Sequence, residues 1–537
     1  MERTTVVIIG GGATGTGILR DLSMRGVKAV LLEQQDLAYG TSSRFHGLLH
    51  SGGRYAVKDA EAAKECIREN SILRRIARHC VEETEGLFVR LPEDDEGFEQ
   101  QWVAACQQAG IAAQRLSPQE ALQLEPNLTA RLVSAYRVPD AAIDGFRLCW
   151  QNVTSARQYG GRIRTYSEVC GIELDGGQVS GVRVRGTLTG RPDFIACDFI
   201  VNAAGSWAGR IAALAGIELA MKPDRGALIA FNHRFTGRVV NRLRPPADGD
   251  IFVPHGLVTI LGTTSSPAEQ PDDTVPRLGE ILQLLRIGQE LFEDLPEYRL
   301  LRAFAGTRPL YSSGSAEEGR AASRNFAIID HARDGLGGFA GIVGGKLTTY
   351  RLMAEKMADF VCERLGVRAG CRTAEEPLLA EPPERQMTEG RRYFPACGAE
   401  LAASRLGPAF GAVLDQIRQR PEKKQLVCEC ELVTLAEVEA VAADETSFRL
   451  DDIRRRTRMG MGTCQGAFCG FRGAGVAAEQ HLVSGQDVTG MLKEFLEARW
   501  SGIRPVLWGK QLREAELTRG IYAATINIDG AMEDERI

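Results

Sequence analysis

The sequence predicts an α/β (α+β) fold: a Rossmann-like domain with an antiparallel-sheet cap, followed by a small, mostly helical carboxy-terminal domain. Three observations predict it. A glycine-rich turn joins a strand to a helix at the amino terminus, strand-like runs interrupt the middle of the chain, and two cysteine pairs lie near its end. At 537 residues the chain exceeds what one core usually supports, so we expect more than one domain.

The first element is a complete β-α-β unit. An apolar run at 5–9 leads into G-x-G-x-x-G, a helical pattern follows, and a second apolar run at 27–33 ends in an acid. This order is typical of a dinucleotide site, in which the three glycines permit the turn, the approach of the pyrophosphate and close helix packing. Helix amides would hold the phosphates, and the acid would accept from a ribose hydroxyl. The predicted contacts are Gly10, Gly12, Ala13, Thr14, Gly15 and Glu33.

Later segments favour FAD over NAD. The stretch YGTSSRFHGLLHSGGRY at 39–55 offers small hydroxyl residues and then glycines that permit close approach of a flat ring, and 199–205 reads as a buried strand ending in small residues. GGKLTTY at 344–350 opens a helix that Gly366 ends, and its amino terminus would stabilise negative charge on a reduced flavin. The predicted FAD contacts in these segments and nearby are Thr41, Ser42, Ser43, Val169, Ala204, Gly205, Gly345, Lys346 and Leu347.

The middle of the chain carries the predicted cap. Runs at 227–231, 251–254 and 258–264 alternate enough to suggest an antiparallel sheet that roofs the flavin and excludes water. We expect an oxidoreductase domain over 1–371, with its cap mainly at 80–140 and 220–310. A Pro- and Glu-rich linker over 372–395 and a carboxy-terminal domain over 396–537 would follow.

Four of the thirteen cysteines form a pattern: C-x-C, thirty-three residues, then C-x4-C. Cys428, Cys430, Cys464 and Cys469 can bind an iron–sulfur cluster or zinc, or remain unligated. The pattern resembles the small helical [2Fe–2S] domain of bacterioferritin-associated ferredoxins, so we expect such a module at about 425–480, followed by a helical tail. The remaining cysteines are interpreted as core packing, and the basic run Arg454–Arg458 as a solvated helix face rather than a thiolate or partner contact.

The motifs IIGGGATGTGI, HSGGRY, VNAAGSWA, GTRPL and GGKLTTYR resemble the FAD-dependent glycerol-3-phosphate dehydrogenases of the D-amino-acid-oxidase-like superfamily. With VCECE and RRRTRMGMGTCQG included, the chain is similar to anaerobic, respiratory members of that family over nearly its whole length. The resemblance implies oxidation of sn-glycerol 3-phosphate to dihydroxyacetone phosphate by hydride transfer to FAD. It also implies an iron–sulfur centre, electron delivery to quinone, and two partners: a second flavoprotein subunit and a membrane-attached iron–sulfur subunit. Whether FMN binds at a subunit interface stays open.

The resemblance also implies site residues. A phosphate dianion needs convergent cations, and the matching positions are Arg54, Arg308, Arg324 and Lys346, with the hydroxyl of Tyr55 beside them. A base must take the proton of the C2 hydroxyl, and His is the first candidate type. We favour His50, which could instead only pack on the flavin, and keep His255 as the alternative.

Composition argues against several functional classes. A formal net charge of -5 argues against a nucleic-acid binder, and no stretch reaches the roughly 20 apolar residues of a membrane span. The start lacks signal-peptide character, so we expect a cytoplasmic protein, peripheral at the inner face of the membrane through a partner. Two alternatives stay open: a related flavin oxidoreductase acting on an amino acid or 2-hydroxy acid, and an electron-transfer protein without substrate chemistry.

Overall fold

The computed structural model describes residues 2–311, 325–480 and 487–526. Its amino-terminal half is built on a six-stranded sheet, parallel except for its last strand. In spatial order the strands are Arg162–Arg164, Ala29–Leu32, Val6–Ile9, Phe199–Asn202, Phe339–Gly344 and Phe326–Asp330. The predicted β-α-β unit is therefore present, with helix Ala13–Met24 between the two predicted strands.

Both faces of this sheet are covered, which explains why its strands are continuously apolar. Helix Ala13–Met24 packs between helices Gly145–Gln158 and Tyr350–Leu365 on one face. The other face meets a four-stranded sheet of Glu2–Arg3, Pro192–Ala196, Gln178–Gly186 and Ser167–Asp175. Alternate residues of one strand enter opposite cores, as with Val6 and Ile8 on the helical side and Val7 and Ile9 on the other.

A nine-stranded, almost entirely antiparallel sheet forms the cap. In chain order its strands are Gly86–Arg90, Gln114–Leu116, Ser134–Val138, Asp224–Phe231, Val239–Arg242, Ile251–His255, Val258–Gly262, Ser266–Pro267 and Leu300–Arg308. We call the six-stranded sheet, with the helices and the four-stranded sheet that cover it, the nucleotide domain. A three-stranded sheet of Leu48–Leu49, Val81–Glu82 and Ala141–Ile143 links the cap to this domain. The helices of this half outside the first core are Ala60–Ile76, Glu96–Ala109, Pro118–Leu124, Ala208–Ala213 and Leu278–Gly288.

The carboxy-terminal part is mostly helical and has its own core, which includes Phe410, Ile453, Met459 and Phe495. Its helices are Glu384–Tyr393, Gly398–Leu406, Phe410–Gln419, Leu435–Ala442, Leu450–Thr457, Cys469–Glu479, Val488–Ile503 and Gly509–Ile526, with two short strands at Leu426–Cys428 and Val433–Thr434. None of the helices in the described ranges combines the length and apolar character that a bilayer crossing requires.

The segment expected as a linker is packed rather than solvated. Leu378 is buried and its amide donates to the carbonyl of Ile76. The buried guanidinium of Arg20 donates to the carbonyls of Thr373 and Glu376, which satisfies backbone groups that a Pro-rich stretch cannot pair in a helix. The end of the segment is helix Glu384–Tyr393.

The basic run is not a solvated helix face, so that prediction was wrong. Arg456 is 3% exposed and donates to both carboxylate oxygens of Asp36, at 3.0 and 2.9 Å. Arg455 reaches Asp36 at 3.2 Å, and Arg458 reaches Asp144 at 2.8 Å. Helix Leu450–Thr457 thus docks on the nucleotide domain through buried ion pairs.

The core-packing prediction holds for Cys66, Cys80 and most of the other single cysteines, but it was wrong for Cys170 and Cys397, which are exposed. Cys170 lies at a register shift between Val169 and Gly171, where the strand bulges.

Candidate active site

A cavity of about 540 Å³ lies between the carboxyl ends of the six-stranded sheet and the cap, and we call it the flavin cavity. It brings together most of the residues predicted for FAD and substrate, although they come from seven separated stretches of the chain. Those that line it are Gly10, Gly12, Ala13, Thr14, Glu33, Thr41, Ser42, His50, Tyr55, Val169, Ala204, Gly205, Arg308, Gly345, Lys346 and Leu347.

The glycine-rich turn has the geometry that a pyrophosphate needs. Gly10 has φ +115°, and a Cβ there would lie 2.6 Å from the carbonyl oxygen of Ala203. A Cβ on Gly15 would lie 1.9 Å from the carbonyl oxygen of Gly10, so this glycine packs helix against strand and does not line the cavity. Helix Ala13–Met24 has Gly12 as its N-cap, which offers no side chain to the helix amides; the amide of Ala13 is bonded to Ser42, and the amides of Thr14 and Gly15 follow it at the helix amino terminus.

Glu33 is held in place to receive a ribose. Its carboxylate accepts from the amides of Gly11 at 2.7 Å and Gln35 at 2.9 Å. Burial raises the pKa of this carboxyl, while the two amide hydrogen bonds oppose that shift by stabilising the anion. The turn at Gly10, which has no room for a Cβ, and the fixed Glu33 carboxylate together fit the adenosine half of FAD.

The other end of the cavity is built where three segments meet. Ser42 accepts from the amide of Ala13 at 2.9 Å, and Thr41 donates to the carbonyl of Thr307 at 2.7 Å. The amide of His50 donates to Thr348 Oγ1 at 3.1 Å, which ties the 39–55 stretch to the turn that opens helix Tyr350–Leu365. These contacts hold the 39–55 stretch against the wall of the flavin cavity.

Basic and aromatic side chains gather at this end. The rings of His50 and Tyr55 have centroids 5.4 Å apart, and Lys346 Nζ lies 4.9 Å from the centroid of the Tyr55 ring. Arg308 lines the same cavity, where its guanidinium pairs with Asp224 and donates to the carbonyl of Thr264 at 2.9 Å. A cavity wall that carries a histidine, a phenol and two cations can bind an anionic substrate and accept its hydroxyl proton.

Some predicted residues lie elsewhere. Arg54 is directed at Asp250, with Nη2 3.4 Å from Oδ2, and does not line the flavin cavity. Ser43 and His255 line a second cavity, between the cap sheet and the carboxy-terminal helices. His255 is therefore away from the flavin, and burial, with the Arg458 guanidinium, lowers its pKa. Arg324 falls outside the described residues.

Sequence reasoning missed the residues that position the HSGGRY turn. Trp102 in the cap donates from Nε1 to the carbonyl of Gly53 at 2.8 Å. Asp140 accepts from the amide of Ser51 at 2.6 Å. Neither belongs to a motif, and a buried Trp or Asp in a cap carries no local signal of its partner. His46, whose ring centroid is 5.7 Å from that of His50, also lines the cavity and was present in the 39–55 stretch.

The four patterned cysteines are neighbours in space. Cys430 Sγ lies 3.8 Å from Cys464 Sγ, and a Cβ on Gly462 would lie 2.2 Å from Cys430 Cβ. Hydrogen bonds from Cys428 and Cys464 lower the pKa of Cys430, and bonds with those same two thiols raise the pKa of Cys469. Each thiol therefore meets two others. Across the described ranges, no group of three or more His, Cys, Asp and Glu side chains is arranged to hold a single metal ion.

Comparison with known proteins gives the class first. A family model described as FAD dependent oxidoreductase matches residues 5–360, the part that contains the sheet, the cap and the flavin cavity. A solved glycerol-3-phosphate dehydrogenase from Bacillus halodurans, complexed with FAD, shares the fold with a TM-score of 0.68 at 22% identity, over 95% of this chain and 97% of that one. An FAD-bound L-alpha-glycerophosphate oxidase from Mycoplasma pneumoniae aligns with 69% of this chain and 97% of its own, at 20% identity and a TM-score of 0.56.

Full-length relatives then give the particular family, the A subunits of anaerobic glycerol-3-phosphate dehydrogenases. The chain is 43% identical to the member from Escherichia coli, over 99% of this chain and 98% of that protein. It is 44% identical to the A1 member from Haloferax volcanii, over 98% and 91%. The chain belongs to this family, whose members are FAD-dependent oxidoreductases.

Proposed function

We propose that the chain oxidises sn-glycerol 3-phosphate to dihydroxyacetone phosphate and passes the electrons through an iron–sulfur centre and partner subunits to quinone. The observation that carries the substrate assignment is that His50, Tyr55, Lys346 and Arg308 all line the flavin cavity. An amino acid or 2-hydroxy acid presents a carboxylate that one Arg satisfies, whereas a phosphate dianion suits two cations.

Each side chain of the site has its own role in this proposal. Lys346 and Arg308 bind the phosphoryl oxygens, and Tyr55 donates its hydroxyl beside them. Arg54 and Arg324 remain predicted members of the clamp. His50 accepts the proton of the C2 hydroxyl, and the cap sheet keeps water away from this step. FAD, when bound, supplies the acceptor for the hydride that leaves C2.

Anaerobic flavin bleaching tests this assignment. We expect glycerol 3-phosphate to bleach the purified flavoprotein without partners, while glycerol, glycine and lactate do not. Lys346→Met should weaken the apparent affinity for glycerol 3-phosphate by at least about tenfold, because a charged contact to phosphate is lost. Lys356→Met, an exposed position on helix Tyr350–Leu365, is the matched control. Bleaching by lactate and not by glycerol 3-phosphate would refute the proposed substrate. A yellow protein that none of these compounds bleaches would have an electron-transfer role instead.

We propose that Cys428, Cys430, Cys464 and Cys469 hold a [2Fe–2S] cluster. The support is the closed arrangement of four thiols, in which Cys428 and Cys469 are each 1% exposed and Cys430 and Cys464 are half-buried. Four cysteine thiolates are the ligand set of such a cluster. A cluster there would let electrons leave the flavin one at a time.

Metal analysis and electron paramagnetic resonance of anaerobically purified protein test the cluster. We expect two irons per chain, a signal after reduction, and loss of both in Cys464→Ser. Cys397→Ser is the control, because Cys397 is exposed in the same helical part of the chain. Stoichiometric zinc without iron would assign a zinc site, and neither metal would leave the thiols unligated.

We propose that the carboxy-terminal helices bind two partners, a second flavoprotein subunit with a membrane-attached iron–sulfur subunit, and that FMN lies at a subunit interface. The relatives are named as subunits, and large apolar side chains are exposed on the carboxy-terminal part of the chain. They include Phe468, 57% exposed beside Cys469, and Leu512 and Leu517 on the last described helix. Such exposure is typical of interaction surfaces. The membrane attachment of this chain would then be peripheral and indirect.

Co-purification tests the partner surface. Phe468→Glu or Leu517→Glu should abolish recovery of the partner subunits from the native host while leaving bleaching by glycerol 3-phosphate unchanged. Val275→Glu, which replaces an equally exposed apolar residue in the cap, is the control. Complexes that survive both carboxy-terminal substitutions would contradict this surface.

A further inference from the structure

The second cavity, of about 500 Å³, is unusually rich in arginine. It lies between the 39–47 segment, the cap strand Leu300–Arg308 and the carboxy-terminal helices. Among the described residues, only two carboxylates line it, those of Asp144 and Asp451. The arginines that line it are Arg44, Arg302, Arg454, Arg455, Arg458 and Arg499.

Two of the six arginines are neutralised. Arg455 pairs with Asp36 at 3.2 Å. Arg458 pairs with Asp144 at 2.8 Å and with Glu431 at 2.9 Å. The pairs with Asp36 and Asp144 dock the carboxy-terminal helices on the nucleotide domain. They use Asp144 of the cavity wall, and Arg455 also lies 3.5 Å from Asp451, the other carboxylate of the wall.

The other four arginines have only Asp451 among the described carboxylates. Arg454 Nε lies 2.8 Å from Asp451, and the nearest approach of Arg499 is 3.7 Å. Arg302 donates to the amide oxygen of Gln465 at 3.0 Å, and Arg44 lies over the ring of Tyr39 at 5.2 Å. Within the part of the chain that the structure describes, neither Arg44 nor Arg302 has an ion pair.

Burial makes this arrangement costly. Arg499 is 6% exposed, and its Nε is buried with no hydrogen-bond partner among the described residues. Desolvation lowers the pKa of Arg302 to about 10 and that of Arg499 well below its usual range, and the Arg454 charge adds to both shifts. Buried cations that remain uncompensated destabilise a fold, so a ligand that brings negative charge would relieve a real penalty.

We propose that the second cavity binds a phosphoryl-bearing small molecule, held by the guanidiniums of Arg302 and Arg499 with Arg44 and Arg454 beside them. A phosphate dianion supplies two charges and several acceptor oxygens to planar guanidinium forks. Apolar side chains complete the wall, among them Ile260, Leu301 and Phe304, and they suit the body of a phosphate ester. Its volume of about 500 Å³ and its position between domains favour a small molecule over an acidic protein segment.

This site is separate from the substrate clamp but adjoins it. Tyr39 and Phe45 line both cavities, whereas His50, Lys346 and Arg308 line only the flavin cavity. A binding experiment must therefore weaken the clamp rather than fill it with glycerol 3-phosphate, which is itself a phosphate ester. We would titrate the FAD-loaded Lys346→Met chain, whose substituted residue lines only the flavin cavity, with inorganic phosphate and with phenyl phosphate by calorimetry.

The expected result is one saturable equivalent of either probe. Arg302→Met and Arg499→Met should each weaken it at least about tenfold, because a charged contact is lost. Arg299→Met is the matched control: Arg299 also bonds to the carboxy-terminal helices, at 3.3 Å to Gln511, but does not line the cavity. Tighter binding of phenyl phosphate would identify an ester as the ligand, and equal binding a phosphoryl group alone.

Three outcomes would overturn the proposal. They are the absence of a saturable equivalent beyond the clamp, an affinity unchanged in both Arg302→Met and Arg499→Met, and binding of an oligoglutamate peptide with no binding of either phosphate probe. Should one methionine variant fail to fold, Arg302→Lys and Arg499→Lys provide the same test with the charge kept and the fork removed.

Discussion

Replacing Arg456 by Met tests whether buried ion pairs join the carboxy-terminal helices to the nucleotide domain. Arg456 contacts both oxygens of Asp36, at 3.0 and 2.9 Å, and Arg455 adds a third contact at 3.2 Å. Asp36 is 1% exposed and lies three residues after Glu33, so this network is adjacent to the residue predicted to receive the ribose.

The magnitude follows from the contacts that disappear. Arg456→Met removes two of the three charged hydrogen bonds to Asp36, each worth about 1.5–3 kcal/mol. Breaking a buried ion pair from one side costs about 3–5 kcal/mol, because the remaining charge is left in a poor solvent. Since Arg455 still reaches Asp36, we expect a loss at the lower end of that range, about 3 kcal/mol in the free energy of unfolding.

Arg418→Met is the matched control. Arg418 also contacts both oxygens of one carboxylate, with bonds of 2.7, 2.9 and 3.2 Å to Glu389, but its side chain is 56% exposed. A solvent-exposed pair contributes about 0–1 kcal/mol, because water screens it and both side chains lose rotamer freedom. The comparison therefore separates the effect of burial from the effect of bidentate geometry.

The pH dependence gives a second criterion. Burial alone would raise the pKa of Asp36, but the Arg456 and Arg455 charges outweigh it and lower the pKa. A lowered pKa of an acid means that the stabilisation is present above the unfolded value of about 4 and is lost as the pH falls through the folded value. The difference between wild type and Arg456→Met should accordingly shrink below about pH 4.

Urea denaturation followed by tryptophan fluorescence measures both effects. Wild type, Arg456→Met and Arg418→Met would be compared at pH 7 and at several lower pH values. If Arg456→Met and Arg418→Met differ by less than about 1 kcal/mol at pH 7, the buried network does not stabilise this docking and the reasoning fails.

Two further predictions concern the flavin cavity. Gly12→Ala should fold normally, because its Cβ would meet only Ser42 Oγ at 3.1 Å, but it should retain less FAD after purification, because Gly12 lines the flavin cavity. Gly15→Ala should lower stability as well, because its Cβ would lie 1.9 Å from a carbonyl oxygen. Flavin absorbance and thermal unfolding distinguish these results, and equal stability of the two variants would contradict the packing role of Gly15. His50→Gln should slow flavin reduction by glycerol 3-phosphate about 100-fold or more, the usual loss for a general base. His255→Gln should not slow flavin reduction. If stopped-flow bleaching is slow only in His255→Gln, the general base is His255 and not His50.

The nucleotide-binding half could be predicted from sequence because its signals are local. The order of strand, glycine-rich turn, helix and acid lies within about thirty residues, and each role depends on near neighbours. Helix Tyr350–Leu365 was predicted from its apolar stripe and from Gly366, which has φ +69°. The same applies to the alternating strands of the cap.

What could not be predicted depends on pairing across long separations. Arg454–Arg458 has the composition of a solvated face, and only the fold shows that Asp36, more than four hundred residues away, neutralises Arg456. Arg54 lies beside the predicted site in sequence, but the fold places its Nη2 3.4 Å from Asp250 of the cap, a partner that the sequence does not indicate. Charge in a sequence does not reveal which opposite charge will meet it.

The 39–47 segment connects these results, because its side chains form a wall between the two cavities. Thr41 and Ser42 face the flavin cavity, and Ser43 and Arg44 face the second cavity. Thr41 donates to the carbonyl of Thr307, and a Cβ on Gly306 would meet Arg44 Cβ at 2.6 Å, so the segment lies against the strand that ends in Arg308. A packed segment of this kind shifts as a unit rather than one side chain at a time. An anion that moved Arg44 would consequently act on the backbone beside Thr41 and Thr307. Flavin absorbance is thus a suitable second readout for phosphate binding in the neighbouring cavity.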